Sequence, residues 1–99
     1  MKAVVFSGTT EGRQFSKFLA NLGAEVLVSV ATEIGAEEQD ENENIIIHVG
    51  RCTAAEMAKL LHGASICVDA THPYATEATR TICEACETTG VEYHRLLRT

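Results

Sequence analysis

The chain has 99 residues, 45% of them hydrophobic and 22% charged, with 14 acids against 8 Lys and Arg for a formal charge of −6. One domain with a single core fits this length, burying roughly 60–68% of the surface the unfolded chain exposes. The acidic balance argues against a protein that coats DNA or RNA, which needs a basic face, but leaves room for a local site that takes one phosphorylated ligand.

No apolar run approaches the ~20 residues that span a bilayer. After Lys2 only four apolar residues precede Ser7, too few for a signal core. A cytoplasmic protein is therefore expected, with its four cysteines as thiols.

In chain order, "KAVVFS" from Lys2 to Ser7 reads as a buried strand stopped by Gly8. Phe15, Phe18, Leu19 and Leu22 follow at i, i+3, i+4 and i+7, one face of a helix that Gly23 ends. A second strand covers residues 25–31, "EVLVSVA". The acidic stretch 37–44, "EEQDENEN", has no apolar period and reads as a solvated loop. "IIIHV", residues 45–49, is a third strand.

Thr53-Ala54-Ala55-Glu56 has the spacing of a capping box, where hydroxyl and carboxylate satisfy the free N–H groups at a helix start. Met57, Leu60 and Leu61 give that helix its apolar face and Gly63 its stop. "SICVDA", residues 65–70, is the fourth strand. Pro73 suits a first helical turn, Ala78, Ile82, Ala85 and Cys86 line a helix face ending before Gly90, and residues 91–97 offer a fifth strand. Alternation at these lengths predicts an α/β fold, a Rossmann-like doubly wound parallel sheet of about five strands with helices on both faces, as one domain over residues 1–99.

Cys83 and Cys86 form a C-x-x-C late in a predicted helix. Redox motifs of this form start helices, where the dipole lowers a thiol pKa, so small buried hydrophobes are the better reading. Cys52 and Cys67 lack zinc spacing and His48, His62 and His94 are scattered, so no metal is expected.

In an open α/β sheet, ligands bind beyond the carboxyl ends of the strands, where the strand order reverses. That rule brings together the loops after the first and fourth strands, "SGTTEGR" (7–13) and "DATHPYAT" (69–76). The first has a glycine for a tight turn, hydroxyls on Ser7, Thr9 and Thr10, and a helix start that favours an anion. It matches neither the dinucleotide nor the Walker glycine pattern, and a plain strand-to-helix turn accounts for it equally. Ser29 to Thr32, at the tip of the second strand, hold no acid to bind a ribose 2′-hydroxyl. With Arg51 and Arg13 nearby, the set suits a 2′-phosphate and hence NADP, unless Arg51 is a solvated surface residue. Asp69, His72 and Tyr74 each have a plain reading, as turn acceptor, helix cap and packing ring. Together beside a nucleotide loop they favour a place where nicotinamide and substrate meet.

These stretches resemble the precorrin-6A reductase family, NADPH-dependent enzymes of cobalamin biosynthesis. The resemblance is carried by Gly8-Thr9-Thr10-Glu11-Gly12-Arg13, by Ser29-Val30-Ala31-Thr32 with Gly35, by Val49-Gly50-Arg51, and above all by Asp69-Ala70-Thr71-His72-Pro73-Tyr74-Ala75. It covers essentially the whole chain. One departure is Ser7, where family members commonly have a glycine. The other is length: the family has two Rossmann-like halves, and this chain corresponds to the first.

The resemblance implies hydride transfer from NADPH to a tetrapyrrole, precorrin-6A giving precorrin-6B. The chemistry would be largely the cofactor's and the protein's part would be alignment. Thr9, Thr10 and Arg13 would hold phosphates, Ser29, Thr32 and Arg51 the adenosine end, and Gly8, Gly12 and Thr71 would complete the cofactor-binding set. Asp69, His72 and Tyr74 would shape the catalytic pocket, with His72 the best proton donor. A fragment of this kind is expected to be inactive alone, and to associate as a homodimer or with its second half. The rival reading is a stand-alone, non-catalytic nucleotide- or tetrapyrrole-binding module. A phospho-receiver is excluded because the first strand ends Phe6-Ser7, with no acid.

Overall fold

A computed structural model describes residues 1–33 and 42–96. Five strands form one sheet: β1 (Lys2–Ser7), β2 (Glu25–Val30), β3 (Ile45–Val49), β4 (Ile66–Ala70) and β5 (Glu92–Arg95). Among the described residues the helices are α1 (Thr10–Asn21), α2 (Ala54–Leu61) and α3 (Thr76–Thr89). The strand order is β3-β2-β1-β4-β5 and every pairing is parallel.

The central strands β1, β2 and β4 read as continuous apolar runs because both faces are covered. Period-two alternation sorts β1 between two cores. Ala3 and Val5 join Val26, Val28, Val68, Leu19 and Ala20 on the α1 side. Val4 and Phe6 join Met57, Leu61, Cys67, Ile82 and Cys86 beneath α2 and α3. The doubly wound prediction therefore holds, with strand ends moved by about a residue. The expected acidic loop at 37–44 lies largely outside the described residues. Its last residues show why they are asparagines: Asn44 takes the Asn42 side chain on its N–H at 2.9 Å and donates its own amide to Ala20 O at 3.0 Å.

The α1 face differs from expectation. Its buried residues are Gly12, Ser16, Leu19 and Ala20, while Phe18 is 57% and Leu22 70% exposed. The reason is proximity to the sheet. A Cβ on Gly12 would stand 2.7 Å from Ser7 Oγ and 2.8 Å from Ala70 Cβ, so small residues occupy the contact and the large rings are displaced outward. Phe15 stays partly buried and stacks on Phe18 at 6.4 Å.

The capping box of α2 forms as expected, Glu56 N–H donating to Thr53 Oγ1 at 3.2 Å and Thr53 N–H to Glu56 Oε1 at 3.0 Å. Gly90 ends α3 at φ +75, donating its N–H to Cys86 O at 2.8 Å. Pro73 does not lie in the first helical turn. It sits in a turn closed by Ala75 N–H donating to His72 O at 2.9 Å, and α3 begins three residues after it, at Thr76. Proline's fixed φ suits this second turn position as well as a helix start, so composition alone could not separate the two.

Candidate active site

From β1 the chain winds outward through α1 to β2 and β3, then returns through α2 to β4 on the other side of β1. The reversal falls between β1 and β4, whose ends pair at Ser7 and Ala70. An open cleft of about 650 Å³ lies over these carboxyl ends. Gly8 after β1, Ser29 in β2, Arg51 after β3, and Thr71, His72 and Tyr74 after β4 all line it. Sequence reasoning had not singled out the first residues of α3 as lining, nor Met57 and Cys52 from the α2 side, yet they line it too. Cys52 is a poor nucleophile there: burial, then the Glu56 charge, pushes its thiol up.

The two loops use their residues differently. In the first, Thr9 is the N-cap of α1. Its hydroxyl accepts from Gly12 N–H at 3.1 Å and donates to Ala70 O at 2.8 Å, tying the helix start to β4. Gly12 is buried beneath it, with its N–H committed to Thr9. Neither residue lines the cleft, and neither do Thr10, Arg13 or Thr32. Ser7 Oγ is buried with no hydrogen-bond partner among the described residues. Gly8 is exposed on the cleft. A Cβ there would meet nothing nearer than Thr71 Cα at 4.0 Å, and its backbone is not left-handed. The protein itself makes no demand for glycine at that point, and the missing side chain opens space on the cleft.

In the second loop His72 and Tyr74 are exposed, Tyr74 by 88%. Their rings lie 4.9 Å apart at an interplanar angle of 30°. Tyr74 N–H donates to His72 Nδ1 at 3.3 Å, which in the neutral ring puts the proton on Nε2. The N-cap of α3, Ala75, makes no side-chain cap, so the helix start beside these rings keeps open donors.

Asp69 departs from expectation: it does not line the cleft. It is fully buried and its carboxylate is saturated. Oδ1 accepts from Thr71 N–H at 3.1 Å, Thr71 Oγ1 at 2.7 Å and Arg95 Nη1 at 2.9 Å. Oδ2 accepts from Thr79 Oγ1 at 2.7 Å and Tyr93 Oη at 2.8 Å. A carboxylate with this many donors has none of its oxygens left for a ligand. Burial pushes its pKa up, but the bonds from Thr71, Thr79 and Tyr93 outweigh that and hold it below the usual carboxylate value. Burial, and then the bond to Asp69, pushes the Tyr93 phenol up, so Tyr93 stays a donor.

Arg51 is exposed and forms no ion pair with any described residue. Cys67 and Cys86 lie buried in the second core, and burial pushes both thiols up. Among the described residues no helix is long and apolar enough to cross a membrane.

A parallel doubly wound sheet with its cleft at the strand-order reversal defines a Rossmann-like α/β domain. Comparison with known proteins agrees and is more specific. The family described as "Precorrin-6x reductase CbiJ/CobK" matches residues 2–99, and the chain belongs to that family. It is 30% identical over 97 residues to a cobalt-precorrin-6A reductase of Priestia megaterium, covering 96% of this chain and 38% of that protein. A solved structure described as CobK precorrin-6A reductase superposes with a TM-score of 0.83 at 29% identity, over 100% of this chain and 39% of the other. A Rossmann-fold NAD(P)-binding family protein from Shigella flexneri shares the fold, with a TM-score of 0.74 at 14% identity. The chain thus spans less than half the length of these relatives. The family is one of reductases.

Proposed function

We propose that this chain is the N-terminal, nucleotide-binding domain of an enzyme that reduces precorrin-6A to precorrin-6B with NADPH, acting on a tetrapyrrole CH–CH bond in corrin biosynthesis. The observation that carries the reading is the cleft at the sheet's reversal point, where Gly8, Ser29, Arg51, Thr71, His72 and Tyr74 converge. The residues fit a nicotinamide dinucleotide. Gly8 leaves the cleft floor open where a pyrophosphate must approach the backbone, beside the N-terminus of α1.

Arg51 and Ser29 would hold the adenosine end, and Arg51 would bind a 2′-phosphate by charge-assisted hydrogen bonds. When bound, NADPH supplies the hydride. Thr71, His72 and Tyr74 would wall the place where nicotinamide and tetrapyrrole meet, with His72 Nε2–H the donor facing the substrate. The Thr9 hydroxyl and Gly12 act one step back, fixing the start of α1. A second domain would cover the cleft and exclude water. Four free cysteines fit a reducing, cytoplasmic setting.

Calorimetric titration of the chain with NADPH and NADH tests this. NADPH should bind more tightly, and Arg51→Ala should cost about 1.5–3 kcal/mol of NADPH affinity if its charged hydrogen bond forms. Equal affinity for the two dinucleotides would remove the basis of the cofactor assignment.

A further inference from the structure

The His72 and Tyr74 side chains of the second loop are exposed, and their contacts at their own level are with each other and within the turn. Their support comes from beneath. Asp69 binds Thr71 at the loop's start, Thr79 in the early part of α3, and two residues of β5, Tyr93 and Arg95. Arg95 Nη1 donates to three oxygens at once: Asp69 O at 3.1 Å, Asp69 Oδ1 at 2.9 Å and Thr71 Oγ1 at 3.3 Å. Leu96 N–H adds a main-chain bond to Asp69 O at 2.9 Å. The Arg95 side chain is 20% exposed and its Asp69 partner 0%, so the pair is shielded from solvent screening. β5 contributes no residue to the cleft.

We propose that Tyr93 and Arg95 are positioning residues for the cleft, acting through the Asp69 carboxylate to set the placement of His72 and Tyr74. The physical reason is geometry. Asp69 ends β4, and the loop leaves it through Thr71. With both carboxylate oxygens bound from the β5 side and from α3, the path from Ala70 to Thr76 is fixed at both ends. The turn between, closed by Ala75 N–H to His72 O, then has one register. Removing a donor from β5 takes away one of the bonds that fix the Asp69 carboxylate under the loop, and the ring pair can move relative to Gly8. This deepens the proposed function and rests on it for its meaning in catalysis, but the placement itself is testable without any ligand.

The test uses the whole chain with Tyr93→Phe, Arg95→Met, Arg95→Lys and Asp69→Asn. Thr88→Val, which removes an exposed helix hydroxyl, serves as control. NMR of the histidine ring nitrogens and of the His72–Tyr74 cross-peaks is recorded beside thermal melting and NADPH titration. Tyr93→Phe and Arg95→Met should move the His72 ring signals away from a single Nε2–H tautomer and weaken the cross-peaks, while signals from β2 stay in place. NADPH affinity should fall about tenfold or more, and Arg95→Lys, which keeps one charged donor, should restore part of it. Should Asp69→Asn fail to fold, the Tyr93 and Arg95 variants still decide the matter. Variants that melt at lower temperature with the His72 and Tyr74 signals unmoved would overturn the proposal, because the network would then only stabilise. If the unaltered chain shows no NADPH binding while the ring signals still respond, the cofactor reading fails and the positioning role stands.

Discussion

The loops that follow β1 and β4 face each other across one cleft and are built on opposite plans. In the first, most polar groups are spent inside the fold: the Thr9 hydroxyl joins Gly12 N–H to Ala70 O, and Gly12 packs against Ser7 and Ala70. Only Ser7 and Gly8 of that loop reach the cleft. In the second, the chemically able rings of His72 and Tyr74 are presented outward, and the structural work is delegated to a buried carboxylate below. A backbone-and-space site suits a phosphate, which needs close approach and N–H donors. A side-chain site suits orientation of a reacting group. Both loops have to be rigid, but each meets that requirement with different atoms.

The largest expected effect is at Asp69. Asp69→Ala removes the carboxylate that accepts from Arg95 and from three hydroxyls and should destabilise the chain by about 3–5 kcal/mol in urea unfolding. The pH profile follows from the sign of its shift. A carboxylate held below its ordinary value of 3.8 in the folded chain contributes stability that is fully present above that value. That contribution is lost as the pH falls through the folded pKa. The acid limb of the stability profile should therefore flatten below about pH 4 in a folded Asp69→Asn variant relative to the unaltered chain.

Next comes Gly12. Gly12→Ala forces a Cβ into contacts under 3 Å with Ser7 and Ala70. The overpacking should cost about 1–3 kcal/mol, offset by up to about 1 kcal/mol of helix propensity. Thr9→Val keeps the shape but removes the cap, for about 1 kcal/mol. A loss at Gly12 no greater than at Gly8, measured in the same unfolding series, would break the contrast between packed and open glycine.

The smallest stability effects are expected where function is proposed. Gly8→Ala, His72→Ala and Tyr74→Phe should each lie within about 0.5 kcal/mol of the unaltered chain. In the proposed enzyme, with a second domain over the cleft, His72→Ala should lower turnover by about a hundredfold if its Nε2–H serves as proton donor. Gly8→Ala should raise the KM for NADPH. Full turnover in a His72→Ala, Tyr74→Phe double variant would return the second loop to a connecting role.

Much of this architecture could be read locally. Strand runs bounded by glycines, the Thr53–Glu56 capping box and the alternation of elements each carry their information in adjacent residues, and all appear in the structure. The convergence of Gly8, Ser29, Arg51, Thr71, His72 and Tyr74 also followed from sequence, through the general rule that ligands sit where strand order reverses. Other expectations differ from the structure, and the local pattern does not contain the reason. Phe18 and Leu22 have the right period for a buried face, but the sheet comes so close to α1 that Gly12, Ser16 and Ala20 take it. Pro73 fits a turn and a helix start equally. Asp69 has the chemistry of a site residue but is buried with both its oxygens bonded inside the fold.

The sequence by itself determined where the chain extends, coils and turns, because propensity, capping and apolar period act over a few residues. It also determined the two loops that could carry chemistry, and by resemblance the family. Only the tertiary structure decided which of their side chains face the cleft. That choice depends on Ala70, Tyr93 and Arg95, which reach residues 9, 69 and 71 from as many as 61 positions away along the chain. A buried carboxylate takes its role from the donors that surround it, and those donors assemble only when β5 pairs with β4.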